Sequence, residues 1–209
     1  MMKAVALVVS ARKHGNCYDF ARSMLDRLER DGVETELVNL YDYQITPCQH
    51  CAYECLQRWD PQKGADAPCP IDDDVRSLWE KVWGADILLL LVPNYGGMPP
   101  ALWIAFSQRS QAFFREAPHE KLKRSVVSAV VLAAPHLSSG PQWAPALIAA
   151  EVKDMGRKVA GFEVINNDGF ETECLFGRLI SEEEIGRRLD FLAERTLKIA
   201  GDLQSKSSA

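Results

Sequence analysis

One short run constrains the fold of this chain more than any other feature. Residues Ile87 to Val92 read ILLLLV, an uninterrupted aliphatic run that is far too short to cross a bilayer. A strand that is buried on both faces has this pattern, whereas a strand with one wet face alternates apolar and polar residues. The run therefore predicts a central strand of a parallel sheet that is covered on both sides by helices.

Four further apolar runs predict strands, and helical spacing or helix start signals follow each of the five. The predicted strands are Lys3–Val9, Thr35–Leu40, Ile87–Val92, Val126–Ala133 and Val159–Ile165. The predicted helices are Cys17–Asp31, Asp72–Trp83, Pro99–Arg115, Trp143–Gly156 and Ser181–Leu203. This alternation predicts an α/β fold, a doubly wound five-stranded parallel sheet with right-handed crossovers and helices on both faces. We expect residues 1–203 to form one domain, followed by a polar tail over residues 204–209.

Polar residues mark the start of two predicted helices. The acidic run from Asp72 to Asp74 would lie in a first turn, where negative charge complements the helix dipole. Ser181 is a suitable N-cap, and Glu184 three residues later would complete a capping box.

Composition excludes several classes of protein. The 24 basic and 29 acidic residues give a net charge of −5, and no basic stripe indicates nucleic-acid binding. No apolar run is long enough to span a membrane. The short run after Lys3 lacks a cleavage pattern, so we expect no export signal and a cytoplasmic protein whose six cysteines stay reduced.

The loop after the first predicted strand has the chemistry of a phosphate site. It joins a strand end to a helix N-terminus, whose unpaired amides attract anions. Ser10 and Asn16 add neutral donors, Arg12 adds a charged one, and Gly15 allows a backbone turn that other residues resist. The loop lacks the Walker and G-x-G-x-x-G patterns, and a solvated turn with an exposed arginine is the alternative.

The loop after the third predicted strand suits a flat ring. It reads PNYGGM over residues 93–98, so an aromatic side chain stands beside two glycines that let a ligand approach the backbone closely. The alternative is an ordinary glycine turn in which Tyr95 covers the core.

Both loops resemble those of the NADPH-dependent FMN reductase family. The first matches S-x-R-x-x-G-N-[TS] except that cysteine stands at the last position, and the second matches P-x-Y-x-G. The resemblance covers about Ala4 to Arg109 and implies a flavodoxin-like fold with bound FMN. It assigns the phosphate to Ser10, Arg12, Gly15, Asn16 and Cys17, and the flavin ring to Pro93, Asn94, Tyr95, Gly96, Gly97 and Met98.

The sequence departs from the family pattern in the helix after the second loop. Arg109 matches the family's arginine, but Ile104 and Gln108 stand where lysine and aspartate are common. A third loop, Ala134 to Pro141, would place Ser138, Ser139 and Gly140 near the edge of the flavin, and His136 is more simply solvated.

Four cysteines lie in or at the end of the long loop from Tyr41 to Pro70, and loops of that length usually carry function. Their spacing, Cys48-x2-Cys51-x3-Cys55-x13-Cys69, resembles the iron–sulfur flavoprotein branch of the same family, although two gaps are longer. That resemblance implies four thiolate ligands for a [4Fe–4S] cluster. Four thiolates would also suit zinc, and free thiols without a metal are the third interpretation.

The resemblance implies an FMN-dependent oxidoreductase that takes electrons from NAD(P)H as cosubstrate and passes them to an unidentified acceptor. Family members are commonly homodimers or homotetramers. The first alternative is an electron carrier that uses FMN and a [4Fe–4S] cluster between protein partners. The second is a non-enzymatic scaffold protein that holds zinc in the cysteine loop.

Overall fold

The five predicted strands form one parallel sheet. The computed structural model describes residues 1–57, 69–113, 116–133 and 143–206. The strands are β1 (Lys3–Val8), β2 (Glu34–Asn39), β3 (Ile87–Pro93), β4 (Val126–Leu132) and β5 (Lys158–Ile165). They pair in the order β2-β1-β3-β4-β5, which is the flavodoxin-like order of a doubly wound sheet. The predicted fold class is confirmed.

Burial follows position in the sheet. All seven residues of β3 and all seven of β4 are buried, as expected for central strands. The edge strands β2 and β5 carry exposed and half-buried residues. The aliphatic run of β3 thus lies between β1 and β4, with Leu89 beside Ala6 on one side and Ser128 on the other.

Helices follow the strands and cover the sheet. Their bounds are α1 (Asn16–Glu29), α2 (Glu54–Gln57), α3 (Val75–Gly84), α4 (Ala101–Gln108), α5 (Ser110–Phe113), α6 (His119–Leu122), α7 (Trp143–Asp154) and α8 (Glu183–Ser205), with short 3₁₀ turns at Leu40–Asp42 and Leu179–Ser181. The helix predicted over Pro99–Arg115 is divided in two, because α4 ends at Gln108 and α5 follows after Arg109.

Two hydrophobic cores lie on opposite faces of the sheet. Helices α1 and α8 pack on one face, against residues such as Ala6, Leu89 and Val130. Helices α3, α4 and α7 pack on the other face, against neighbouring residues of the same strands, including Leu90 and Val131. Alternate side chains of one strand serve different cores because a strand directs successive residues to opposite faces.

Two predicted helix starts are wrong. Helix α3 begins at Val75 rather than Asp72, and Asp73 makes hydrogen bonds elsewhere, as described below. Helix α8 begins at Glu183, and the capping box is absent because no side chain caps that end. The Ser181 hydroxyl instead donates to the carbonyl of Arg178 at 2.7 Å, within the preceding 3₁₀ turn.

The helices of the described residues do not have the length and apolar character of membrane spans. In the part of the chain that the structure describes, every helix is too short or too polar to cross a bilayer.

Candidate functional site

A cavity of about 280 Å³ opens at the edge of the sheet where β1, β3 and β4 end. Ligands of doubly wound proteins bind at this edge. The described residues that line it are Ser10, Arg12, Cys17, Pro93, Asn94, Tyr95, Leu132, Ala133, Cys174, Leu175 and Phe176. The cavity therefore brings together the two loops that the sequence singled out.

The loop between β1 and α1 offers donors to an anion. The first intrahelical hydrogen bond runs from Asp19 N to Gly15 O at 3.0 Å, so the amides of residues 16–18 have no partner in the helical ladder. Arg12 is exposed beside them, and its own amide donates to the Ser10 hydroxyl at 3.3 Å. Backbone amides, a hydroxyl and a guanidinium form a donor set for one phosphate.

Gly15 has a different role from the expected turn. Its φ of −101° and ψ of −179° are accessible to any residue, so backbone freedom does not require glycine here. A Cβ at this position would lie 3.0 Å from Arg12 Nε and 3.1 Å from Arg12 Cβ. The missing side chain therefore makes room for Arg12 to fold against the loop.

The Asn16 side chain is directed toward the chain after β5. Its Nδ2 donates to the carbonyl of Cys174 at 2.9 Å, and its Oδ1 accepts from Leu179 N at 2.8 Å. Arg178 adds a two-pronged contact to Asp19 of α1, with both N···O distances at 3.0 Å. These bonds hold the segment 174–179 as a wall of the cavity, and the Asn16 backbone remains in the first turn of α1.

Two buried thiols face the same cavity. Burial raises the pKa of Cys17 to about 12, with Arg12 opposing the shift and Cys174 adding to it. Burial also raises the pKa of Cys174, whose Sγ lies 3.7 Å from the carbonyl oxygen of Ala133. Both groups are neutral at physiological pH, so neither places a negative charge beside the anion donors.

The loop after β3 forms a tight turn. Tyr95 N donates to Met98 O at 2.8 Å, and Met98 N donates back to Tyr95 O at 3.2 Å. Gly96 and Gly97 between them have φ values of 61° and 87°, which glycine adopts without strain. The Tyr95 hydroxyl accepts from Ala11 N at 3.2 Å and joins this turn to the β1 loop.

Asn94 lines the cavity, and its side chain carries an acceptor without a partner among the described residues. Its Oδ1 is buried and accepts no hydrogen bond from the described residues. A buried acceptor without a partner is costly, and a ligand N–H would remove that cost. An isoalloxazine ring carries such an N–H, so this atom and the neighbouring aromatic Tyr95 fit a flavin.

Sequence reasoning missed one wall of the cavity. Cys174, Leu175 and Phe176 come from the irregular stretch after β5, and the side chain of Phe176 is 85% exposed at the rim. The available signal was topological, because the end of every parallel strand lies at this same edge. The prediction for Ser138, Ser139, Gly140 and His136 lies outside the described residues.

Hydrogen bonds and one buried ion pair join the two ends of the cysteine loop. Asp74 Oδ2 accepts from Gln44 N at 2.7 Å, and Asp73 Oδ2 accepts from Thr46 N at 2.8 Å. Arg109 pairs with Asp73 at 2.8 Å, and both side chains are at most 2% exposed. The same Arg109 nitrogen donates to Thr46 O at 2.8 Å. The chain just before Cys48 is thereby fixed beside the chain just after Cys69.

The Asp73–Arg109 pair also revises the expectation that Asp73 lies in the first turn of a helix. Burial alone would raise the pKa of Asp73, but hydrogen bonds from Arg109 and from the Thr46 and Val75 amides hold it below its ordinary value. Asp73 therefore acts through these contacts rather than through the α3 dipole. The Arg109 guanidinium is buried in the protein interior, where it binds the Asp73 carboxylate and the Thr46 carbonyl.

The four cysteines of the loop form no disulfide, and Cys48 is exposed with its Sγ 4.0 Å from Gln111 Nε2. Cys55 and Cys69 pack against the core beneath α3 and α4. His50, Ala52 and Tyr53 have φ values of 54°, 48° and 58°, a strained conformation around Cys51. Among the described residues, no three histidine, cysteine or acidic side chains are grouped to hold a metal ion. The donor chemistry suits a metal, and the described arrangement does not assemble its site.

Comparison with known proteins identifies the family. The model for NADPH-dependent FMN reductases matches residues 2–158 of the 209 residues. The chain belongs to the NADPH-dependent FMN reductase family. The match runs from β1 to the first residue of β5, so it includes both ligand loops and leaves out the 174–176 wall.

Two similar proteins are named iron–sulfur flavoproteins. The chain is 32% identical over 96 residues to one from Methanocaldococcus jannaschii, covering 46% of this chain and 45% of that protein. It is 30% identical over 109 residues to one from Methanosarcina thermophila, covering 52% of each. The chain thus spans about half the length of these relatives.

Solved structures share the fold at low sequence identity. RosB, solved with a bound 8-demethyl-8-formylriboflavin-5′-phosphate intermediate, has a TM-score of 0.71 at 16% identity, covering 98% of this chain and 81% of that one. A short-chain flavodoxin associated with a bacterial microcompartment has a TM-score of 0.56 at 15% identity, covering 96% and 99%. These similarities support the flavodoxin-like fold of this family member.

Proposed function

We propose that this protein is an FMN-dependent oxidoreductase that takes electrons from NAD(P)H and passes them to a separate acceptor. The observation that carries the proposal is the cavity in which the α1 amides and Arg12 meet the β3 turn with its unpaired Asn94 acceptor. Membership of the NADPH-dependent FMN reductase family supports it.

Each loop has a defined task in this proposal. Arg12, the Ser10 hydroxyl and the amides of residues 16–18 bind the phosphate, while Gly15 leaves room for the arginine. The turn from Pro93 to Met98 holds the ring, and Asn94 Oδ1 accepts a hydrogen bond from it. FMN when bound supplies the redox chemistry, taking a hydride and releasing electrons. Cys17 and Cys174 stay protonated and keep the wall of the site neutral.

Arg12→Ala tests the phosphate assignment. We expect FMN to bind roughly tenfold to a hundredfold more weakly, because charge-assisted hydrogen bonds are each worth about 1.5–3 kcal/mol. Riboflavin, which lacks the phosphate, should lose no affinity in the same variant. Quenching of flavin fluorescence on binding gives both constants, with the exposed Arg22→Ala as the matched control. Equal losses for FMN and riboflavin would contradict the assignment.

The electron donor is tested by anaerobic reduction. The FMN-loaded protein should lose its visible flavin absorbance when NADPH or NADH is added without oxygen. Persistence of the oxidised spectrum with both nucleotides would refute the NAD(P)H part of the proposal and leave FMN binding intact.

An electron carrier with FMN and a [4Fe–4S] cluster is the second candidate. It is favoured by the four cysteines of the anchored loop, which form no disulfide, and by the names of the relatives. Iron and acid-labile sulfide in anaerobically purified protein would support it. Zinc in their place would support a structural metal, and a metal-free protein would eliminate both.

We also propose that the protein assembles as a homodimer or homotetramer, as the family resemblance implies. Large apolar side chains such as Trp143 and Phe191 are 56% and 64% exposed, which suits contact between copies. Sedimentation equilibrium should give a multiple of the chain mass, and a single-chain mass at all concentrations would oppose the proposal.

A further inference from the structure

A larger cavity lies away from the proposed flavin site. Its volume is about 520 Å³, which is within the usual range for small-molecule sites. Val82, Leu122 and Arg157 line it, and these residues come shortly before β3, β4 and β5 begin. The cavity is therefore at the amino-terminal edge of the sheet, whereas the flavin cavity is at the carboxyl-terminal edge.

Tryptophan rings form much of its wall. Trp79, Trp83 and Trp103 all line the cavity. Trp79 stacks on Phe106 with the ring centres 4.4 Å apart, and Trp83 stacks on Trp79 at 5.8 Å. The face of a tryptophan ring is the most favourable aromatic surface for a cation. The wall is held rigid because its rings pack on each other.

Carboxylates lie beside these rings. Glu151 of α7 lines the cavity, and its Oε2 accepts a hydrogen bond from Trp103 Nε1. Burial raises the pKa of Glu151, an effect that hydrogen bonds from Trp103 and Ser107 oppose. Asp154, one turn further along α7, also lines the cavity. Glu151 is thus oriented by the protein and incompletely solvated, whereas Asp154 is exposed.

Two basic side chains, His119 and Arg157, line the cavity, and Arg157 is already engaged. Among the described residues of the wall, Arg157 is the one lysine or arginine. It is buried, and it donates to the carbonyls of Ala85 at 2.9 Å and Val82 at 2.5 Å. Burial lowers its pKa to about 10, so it remains charged at neutral pH. Because its donors are directed to the backbone, Arg157 does not pair with Glu151.

From this arrangement we propose that the cavity binds a small organic cation, an amine or ammonium group carried on an apolar body. The apolar part packs against the tryptophan wall, and the cationic group lies against the half-buried Trp83 ring and pairs with Glu151. An anionic or neutral polar ligand would leave that carboxylate without a counter-charge. The site is separate from the flavin chemistry and does not depend on it.

Benzylamine, which is protonated at neutral pH, is the probe, and benzyl alcohol is its neutral counterpart of similar shape. Calorimetric titration of the FMN-loaded protein in phosphate buffer should show saturable binding of benzylamine. Benzyl alcohol should bind on the order of tenfold more weakly, because it cannot form a charged hydrogen bond with Glu151. Equal affinities for the two compounds would overturn the proposal.

Glu151→Gln removes the charge and keeps the shape of the side chain. It should weaken benzylamine binding by roughly tenfold or more and leave benzyl alcohol unchanged. The control Glu194→Gln changes an exposed acid on α8, on the other face of the sheet, and should have no effect. Trp83→Leu should weaken benzylamine by roughly fivefold through loss of a ring face.

Competing occupants give distinct results. If a second copy of the chain fills the cavity, benzylamine will not bind and Trp83→Leu will lower the mass found by sedimentation, which would overturn the proposal. Unchanged circular dichroism and FMN content in every variant establish that the fold and the flavin site are intact. Loss of benzylamine binding in the Glu194 control would likewise overturn the assignment to Glu151.

Discussion

Cys17 is a thiol at a position where a hydroxyl would add a donor to the anion site. It is buried at the start of α1 and belongs to the same hydrophobic core as Phe20 and Val8. Burial raises its pKa to about 12 because the thiolate would be desolvated. The side chain therefore behaves as a small apolar residue, and the anion depends on the backbone amides and Arg12.

The buried thiol predicts a loss of stability at alkaline pH. In the unfolded chain Cys17 releases its proton near pH 9, whereas in the folded chain it keeps it to about pH 12. Above pH 9 the folded state therefore binds more protons, and the free energy of unfolding decreases as pH rises. By pH 10 the loss should be about 1 kcal/mol from this group.

Urea unfolding at pH 8 and pH 10 measures this loss. Cys17→Ala should reduce the difference between the two pH values by about 1 kcal/mol. Cys48→Ala, which alters an exposed thiol, should keep the full difference because Cys17 is still present. An identical pH dependence in the Cys17 variant and the unaltered protein would contradict the prediction.

At the scale of elements, α3 and α4 determine where the cysteine loop starts and ends. Asp73 lies just before α3 and Arg109 just after α4, and the two form an ion pair. The same two side chains bind the backbone of Thr46: Asp73 accepts from its amide, and Arg109 donates to its carbonyl. The sequence placed Asp73 in a helix and matched Arg109 to a family position. It could not pair them, because they are 36 residues apart and meet only when both helices pack on the sheet.

Arg109→Met tests this anchor. The substitution leaves Asp73 buried without its counter-charge, so we expect the free energy of unfolding to drop by about 3–5 kcal/mol. Arg22→Met, which breaks an exposed pair with Asp26, should cost less than about 1 kcal/mol. Urea titrations give both values, and thiol labelling of Cys48 should become faster in the Arg109 variant alone. Equal losses of unfolding free energy for the two substitutions would mean that the buried pair stabilises the fold no more than an exposed pair does.

Substitution of two glycines by alanine separates the effect of close packing from the effect of helix propensity. Gly161 in β5 faces α8 so closely that a Cβ would overlap Leu192 Cδ1. Gly161→Ala should therefore destabilise the protein by about 1–3 kcal/mol. Gly201 within α8 has open space at its Cβ position, and Gly201→Ala should stabilise the protein by about 0.5–1 kcal/mol. Thermal unfolding of the two variants should shift in opposite directions, and a shift of the same sign would refute the packing argument.

At the scale of the whole molecule, the last helix joins both ends of the chain. Helix α8 packs beside α1, and Arg27 of α1 pairs with Glu194 of α8 at 3.1 Å. Arg188 of α8 also pairs with Glu163 of β5 at 2.5 Å. We propose on this basis that residues 1–203 fold as one domain.

A single domain predicts one cooperative unfolding transition. The tryptophans that the structure describes lie on α3, α4 and α7, so the fluorescence of these residues reports on one face of the sheet. Far-ultraviolet circular dichroism reports on both faces. The two signals should give the same urea midpoint in FMN-free protein. Separate midpoints would mean that the faces unfold independently and would contradict the single domain.

Local sequence patterns were enough to predict the sheet, the parallel direction of its strands and the two loops at its ligand-binding edge. Each of these features depends on local patterns, such as the aliphatic run of β3 or the S-x-R-x-x-G-N loop, and local patterns are visible in one dimension. Packing between elements was needed to show that Asn16 holds the 174–179 wall, that Asp73 pairs with Arg109, and that Glu151 lines one cavity with three tryptophans. These contacts join residues far apart in the chain, and their partners are chosen by packing between elements rather than by spacing along the sequence.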